Sequence, residues 1–288
     1  MGCDFTVMNR QLEAPRGAVP GGKLVYCSLQ AGSSMIGAPA PSLKLVLEGD
    51  ERYEVDGRTI AVKPGEFLYL DAGSHCIGTN RGAMSGLCLL LPTRGGESAA
   101  PGLGDDPVLG RALVLSTRAS TLGRTFWDYA QRIADNPLLG QSLADELVAR
   151  VEVAIAEPLE RSRAAIDALK AVKLSTRREL FRRLERAREF LHAHLARAVT
   201  LAEMASVAGL SQFHLARYFK DAYGESPISY HRALRLERAG KLLAAGGQSL
   251  AEVAEATGYS DQVALSHAFR RTFGVSPQSW TRQRGMAA

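Results

Sequence analysis

Two stretches of the chain, fifty residues apart, present the same kinds of side chain at the same spacing. The first carries Gln212, Phe213, Ala216, Arg217 and Lys220; the second carries Gln262, Val263, Ser266, His267, Arg270 and Arg271. A guanidinium offers a rigid fork of donors, and a carboxamide pairs a donor with an acceptor. These groups discriminate base-pair edges: Arg217 suits guanine, Gln212 suits adenine, and Phe213 suits a thymine methyl unless it packs in a core. Lys220, Arg232, Arg270 and Arg271 suit phosphate oxygens, with simple solvation of each as the alternative. His267 stands where the first stretch has Arg217, and an imidazole makes only one good bond to a base edge. The first stretch is therefore expected to dominate sequence reading.

The elements that must position these residues are written in the same repeat. Leu201-Ala-Glu-Met-Ala205 returns as Leu250-Ala-Glu-Val-Ala254, and Gly209 matches Gly258. Gln212, Leu215, Phe219, Gly224, Pro227 and Tyr230 recur as Gln262, Leu265, Phe269, Gly274, Pro277 and Trp280. Thr200 with Glu203, and Ser249 with Glu252, have the spacing of capping boxes at helix starts. Ala205 and Ala254 let a second helix cross closely, while Gly209 and Gly258 supply the turn. Leu215 and Phe219, and their counterparts Leu265 and Phe269, fall at i,i+4 and should face a core. Ser226-Pro227 and Ser276-Pro277 place an N-cap and a first-turn proline at the next helix. Each copy thus reads as a helix-turn-helix, over about 200–223 and 249–273.

A helix from Pro227 to about Ala245 would be roughly 30 Å long at about 1.5 Å per residue. Adjacent major grooves on one duplex face lie roughly 34 Å apart, so one chain can address two of them. Charge agrees with a polyanionic partner. Residues 177–288 carry 17 Lys and Arg against 10 Asp and Glu, whereas residues 1–176 carry 18 against 20.

Residues 184–284 resemble the DNA-binding domain of the AraC/XylS family of bacterial transcription regulators. The most recognisable part is Gly-Tyr-Ser-Asp-Gln-Val-Ala-Leu-Ser-His-Ala-Phe-Arg-Arg-Thr-Phe-Gly-Val-Ser-Pro, residues 258–277. The resemblance implies a sequence-specific regulator of transcription, the same DNA-facing side of each second helix, and a homodimer.

The first hundred residues read as short strands. Leu43 to Glu48 and Phe67 to Leu70 are strand candidates, and Asp56-Gly57 reads as a hairpin turn between Tyr53-Glu54-Val55 and Thr59-Ile60-Ala61-Val62. The stretch Leu43 to His75 is similar to the cupin-like barrel that regulators of this family carry as an effector domain. A metal-dependent cupin enzyme needs a histidine pair that residues 30–44 lack; His75 is the lone histidine of the first 190 residues. No metal, cofactor or catalytic residue is expected. A small-molecule effector in the barrel is the favoured reading, with a catalytic cupin and an architectural DNA-bending protein as the alternatives. The Gly/Pro/Ser-rich stretch Pro92 to Gly104 reads as a loop ending the strands. Helical periodicity begins near Pro107, with Phe126, Ala130 and Ile133 on one face and Leu143, Leu147, Val151 and Ala154 on another. Such stripes must be buried, and for Leu143, Leu147 and Val151 core packing within the N-terminal domain and a dimer surface are both open.

The expected fold is therefore α+β: a cupin-like sensor over 1–100, a helical connection over 101–176, and a DNA-binding domain over 177–288. At 46% hydrophobic and 23% charged residues the composition is that of a globular protein, and the cytoplasm is the expected location. Cys3, Cys27, Cys76 and Cys88 form no CxxC pair; buried thiols are the plain reading and a redox pair the alternative.

Overall fold

The computed structural model describes residues 2–9, 19–38, 40–55, 57–94, 97–98, 108–171 and 173–280. The chain divides into two compact units, Met1–Glu185 and Arg186–Ala288.

The first unit holds two larger sheets. Strands β1 (Asp4–Met8), β2 (Lys23–Leu29), β4 (Ser42–Glu48), β7 (Glu66–Leu70), β9 (Met84–Leu90) and β12 (Ala112–Ser116) form a six-stranded sheet in the order β1-β2-β9-β4-β7-β12. Strands β3 (Gly32–Ala38), β5 (Glu51–Val55), β6 (Arg58–Val62) and β8 (Ser74–Asn80) form a second, in the order β3-β8-β5-β6. Pairing is antiparallel except between β1 and β2. Val46, Leu68, Leu70 and Val114 from one sheet and Tyr53, Val55, Val62 and Cys76 from the other share one core. The expected hairpin is present, with Val55 opposite Arg58 and Gly57 at φ +71°; Asp56 lies outside the described residues.

One expectation needs correction. The strands do not end at Pro92: Thr93–Arg94 (β10) pairs with Glu97–Ser98 (β11), and β12 then joins β7. Ala112-Leu-Val-Leu-Ser116 is a short apolar run, and such a run carries no periodicity to separate strand from helix. Of the two readings of Leu143, Leu147 and Val151, core packing is the one observed, since all three are buried within this chain.

Helices α1 (Thr121–Asp135), α2 (Gly140–Ala154) and α3 (Ala156–Ala168) follow the strands. Phe126, Ala130 and Ile133 are fully buried on α1, where Phe126 meets Phe67 of β7 edge-on at 6.2 Å. Helix α2 is tied to β1 by Asp145 Oδ1, which accepts from the Cys3 amide at 2.6 Å. Helix α4 (Leu174–Ala193) contains the boundary between the units.

The second unit continues with α5 (Leu201–Ala208), α6 (Gln212–Tyr223), α7 (Pro227–Ala245), α8 (Leu250–Ala256) and α9 (Gln262–Phe273). No helix among the described residues is long and apolar enough to cross a membrane.

Candidate nucleic-acid interface

Each half of the second unit is started by side-chain caps. Thr200 and Glu203 form a reciprocal capping box at α5, and Ser249 and Glu252 repeat it at α8. Backbone and hydroxyl bonds from Thr200 hold the Glu203 carboxyl down at about 2. Gly209 ends α5 at φ +62°, and Gly258 takes φ +69° after α8, so both turns use the left-handed region.

Beneath the two second helices the same aromatic arrangement recurs. Phe219 meets Tyr223 at 4.6 Å and Tyr230 at 5.5 Å; Phe269 meets Phe273 at 4.5 Å and Trp280 at 5.6 Å. With Leu215 and Leu265 these side chains bury one face of α6 and α9. The opposite face is thereby fixed, because side chains three and four apart share one side of a helix.

Phe213, Arg217 and Lys220, with Val263, His267, Arg270 and Arg271, lie on that opposite face, whereas Gln212 and Gln262 stand at the first position of each helix, three residues before Leu215 and Leu265. Gln212, Arg217 and Lys220 on α6, and Gln262, His267, Arg270 and Arg271 on α9, are exposed. Ala216 and Ser266 are half-buried. Phe213 is 71% exposed and Val263 59%, so Phe213 is not a core residue. Arg232 is exposed on α7, whose 19 residues match the expected span. The Ser266 hydroxyl donates to the Gln262 carbonyl at 2.7 Å, which commits its proton within the helix. Arg217 lies against Tyr218, its guanidinium carbon 5.6 Å from the ring centre.

Three features escaped the sequence reading. Asp261 caps α9, accepting from the Val263 and Ala264 amides at 2.8 and 2.7 Å. The Ala264 amide, then the Ser260 hydroxyl and the Val263 amide, hold this carboxyl below its usual range. Ser211 caps α6 without charge, so the second helix starts with an anion where the first does not. Arg235 is buried on α7, with Nε donating to the Thr257 carbonyl at 2.7 Å and a second nitrogen to the Gly258 carbonyl. It also stacks over Tyr259 at 4.4 Å. The only sequence signal was its place in the four-residue series His231, Arg235, Ala239, Leu243, all buried. Finally, Tyr230 OH bonds His192 Nε2 at 2.8 Å, and Arg188 of α4 stacks over Tyr223 at 4.8 Å. These contacts join α4 to the first helix-turn-helix.

Two helix-turn-helix units joined by one long helix, each with a polar second-helix face free of the core, define a tandem helix-turn-helix domain. Residues 204–283 match a family model described as a helix-turn-helix domain. A protein of Streptomyces antibioticus described as an AraC-like transcription regulator is 38% identical over 93 residues, 32% of this chain and 31% of that protein. The transcriptional regulator LumQ of Photobacterium leiognathi is 31% identical over 144 residues, 50% of this chain and 52% of that one. Among solved structures, a transcriptional regulator with an AraC-type DNA-binding domain from Chromobacterium violaceum is 29% identical over 36% of this chain and 92% of its own, with a TM-score of 0.34. Residues 204–283 are thus similar to the helix-turn-helix domain of AraC-like transcription regulators. The chain spans only 31% and 52% of these two curated relatives' lengths.

Proposed function

We propose that this protein is a sequence-specific DNA-binding regulator of transcription, with Gln212, Phe213, Ala216 and Arg217 reading bases in one major groove. Gln262, Val263, Ser266 and His267 occupy the next groove, and Lys220, Arg232, Arg270 and Arg271 engage phosphates. The observation that carries this reading is the repeated burial pattern of α6 and α9, which leaves the same polar face outward twice. Exposed Phe213 and Val263 on those faces suit thymine methyls, whereas a merely structural helical hairpin gains nothing from exposing them. We read the two stacked sheets of the first unit as a cupin-like effector domain and the working form as a homodimer.

Selection of bound duplexes from a random pool tests the reading. An enriched motif with a specific-to-random affinity ratio of about 10³ or more is expected. Equal affinity for every sequence would replace a regulator by an architectural protein.

A further inference from the structure

We propose that the cleft between strands β6 and β12, roofed by the first half of α4, binds an organic acid: one anionic head on an apolar body. Strand β6 is the last of the four-stranded sheet and β12 the last of the six-stranded one. An open sheet edge is commonly covered by a helix, and α4 does this here. The cover leaves a cavity of about 610 Å³, within the 300–1,000 Å³ range usual for small-molecule sites. Every residue lining it belongs to the first unit.

The lining has two chemistries. Val55, Ile60, Leu113 and Phe181 supply apolar wall, while Arg111, Arg178, Arg182 and Glu179 supply charge. Glu179 accepts from Arg182 Nε at 3.1 Å and from Arg183 Nε at 2.9 Å. Glu179 and Arg182 thus offset one another, and three guanidinium groups against one carboxylate leave the lining formally cationic. A carboxylate beside guanidinium groups makes short, charge-assisted bonds, and the apolar wall takes the remainder of the molecule.

The cationic wall is built into the backbone. Arg178 Nε donates to the Val108 carbonyl at 2.8 Å. A Cβ on Gly110 would stand 2.8 Å from the Arg178 guanidinium carbon, and Gly110 sits at φ +69°. The left-handed φ favours glycine here, and without a Cβ the Arg178 guanidinium lies close against the chain entering β12. At the far end of β12 the Ser116 amide donates to Glu185 at 3.3 Å. Helix α4 is therefore tied to both ends of the strand, with fully buried Phe181 between. The same helix continues to Ala193 in the second unit, so an occupant touching α4 touches the helix that leads to the DNA-binding domain. This last link rests on the regulator reading; the binding site does not.

The full chain, without DNA, is titrated with the fluorescent anion anilinonaphthalene sulfonate, and the probe is competed with octanoate, octanol and octylamine. Saturable binding at one site per chain is expected, with octanoate competing at least about tenfold better than octanol or octylamine. The paired variant Arg111→Gln, Arg182→Gln should weaken the probe about tenfold or more while the circular dichroism stays unchanged. Ile60→Trp, which fills the apolar wall, should weaken it without altering charge. Unchanged binding in both variants, equal competition by octanol, or no binding at millimolar probe overturns the assignment. A protein that meets these expectations but selects no DNA sequence upholds the cleft and overturns the regulator reading.

Discussion

Arg235, in the middle of the long helix α7, donates to the carbonyl oxygen of Thr257 at 2.7 Å and so holds the turn of the second helix-turn-helix from below. The carbonyls after a helix end need donors, and a buried cation supplies them strongly. Arg235→Met removes both bonds from a residue 9% exposed and should cost about 2–3 kcal/mol in urea unfolding. Arg238→Met, half-buried on the same helix, is the comparison and should cost clearly less. Equal losses would show that Arg235 contributes only helix packing.

Gly258 and Gly274 both occupy the left-handed region, at φ +69° and +74°, but their surroundings differ. A Cβ on Gly258 would stand 2.5 Å from the Arg197 Cα, whereas one on Gly274 meets nothing within 4 Å. Gly274→Ala should therefore lose only the conformational cost, about 1–2 kcal/mol. Gly258→Ala must also displace the backbone before α5 and should lose more. Thermal unfolding of the two variants side by side checks the order; reversal would mean that the Arg197 segment yields freely.

The tandem domain was legible because its determinants are local and written twice. Thr200 with Glu203, Ser249 with Glu252 and Pro227 after Ser226 act within one helical turn, so spacing alone exposes them. The polar faces of α6 and α9 followed from locating Leu215, Phe219, Leu265 and Phe269. What stayed hidden depends on residues distant in sequence. Arg235 looks like Arg232 and Arg238 until the turn at Thr257 and Gly258 is brought to it. Strand β12 is apolar on too few residues to show a period, and its partner β7 lies more than forty residues earlier. Leu143, Leu147 and Val151 form a true amphipathic stripe, but periodicity states that a face is buried and not by what.

The two capping boxes give the second unit a defined acid response. In the folded chain the Glu203 carboxyl sits at about 2 against an ordinary value of 4.5, because the Thr200 amide and hydroxyl, then Arg197, favour its charged form. A depressed carboxylate contributes stability that is complete above the ordinary value and is lost as pH falls toward the folded one. The stability difference between the wild-type chain and Glu203→Gln should therefore be constant at neutral pH and shrink between about pH 5 and pH 2. A difference that persists unchanged at pH 2 would assign the cap to geometry alone.

Burial pushes the Cys27 thiol up to about 12 and the Cys76 thiol up to about 11, against an ordinary 9.0. The thiolate is the reactive form, so both should resist alkylation in the folded protein near neutral pH and react promptly in urea. Time-resolved labelling with iodoacetamide, read by peptide mass, checks this. Rapid native labelling of either position would revive the redox reading that the burial opposes.

On the proposed assignment the two base-reading faces are unequal, which has a consequence for DNA binding. Arg217 offers a guanine two parallel bonds, whereas His267 in the same register offers one, and α9 begins at the Asp261 carboxylate, which disfavours a phosphate at that helix end. Arg217→Ala should cost about 1–3 kcal/mol of affinity for the selected duplex and erase preference at one base position. His267→Ala should cost less, and His267→Arg should add a guanine preference in the second half-site. Arg271→Ala should weaken all sequences alike and flatten the salt dependence, as loss of a phosphate contact does. Anisotropy titrations against the selected duplex and its single-base variants, at two salt concentrations, separate these outcomes. A greater loss from His267→Ala than from Arg217→Ala would assign the dominant readout to the second unit and reverse the order of the two halves.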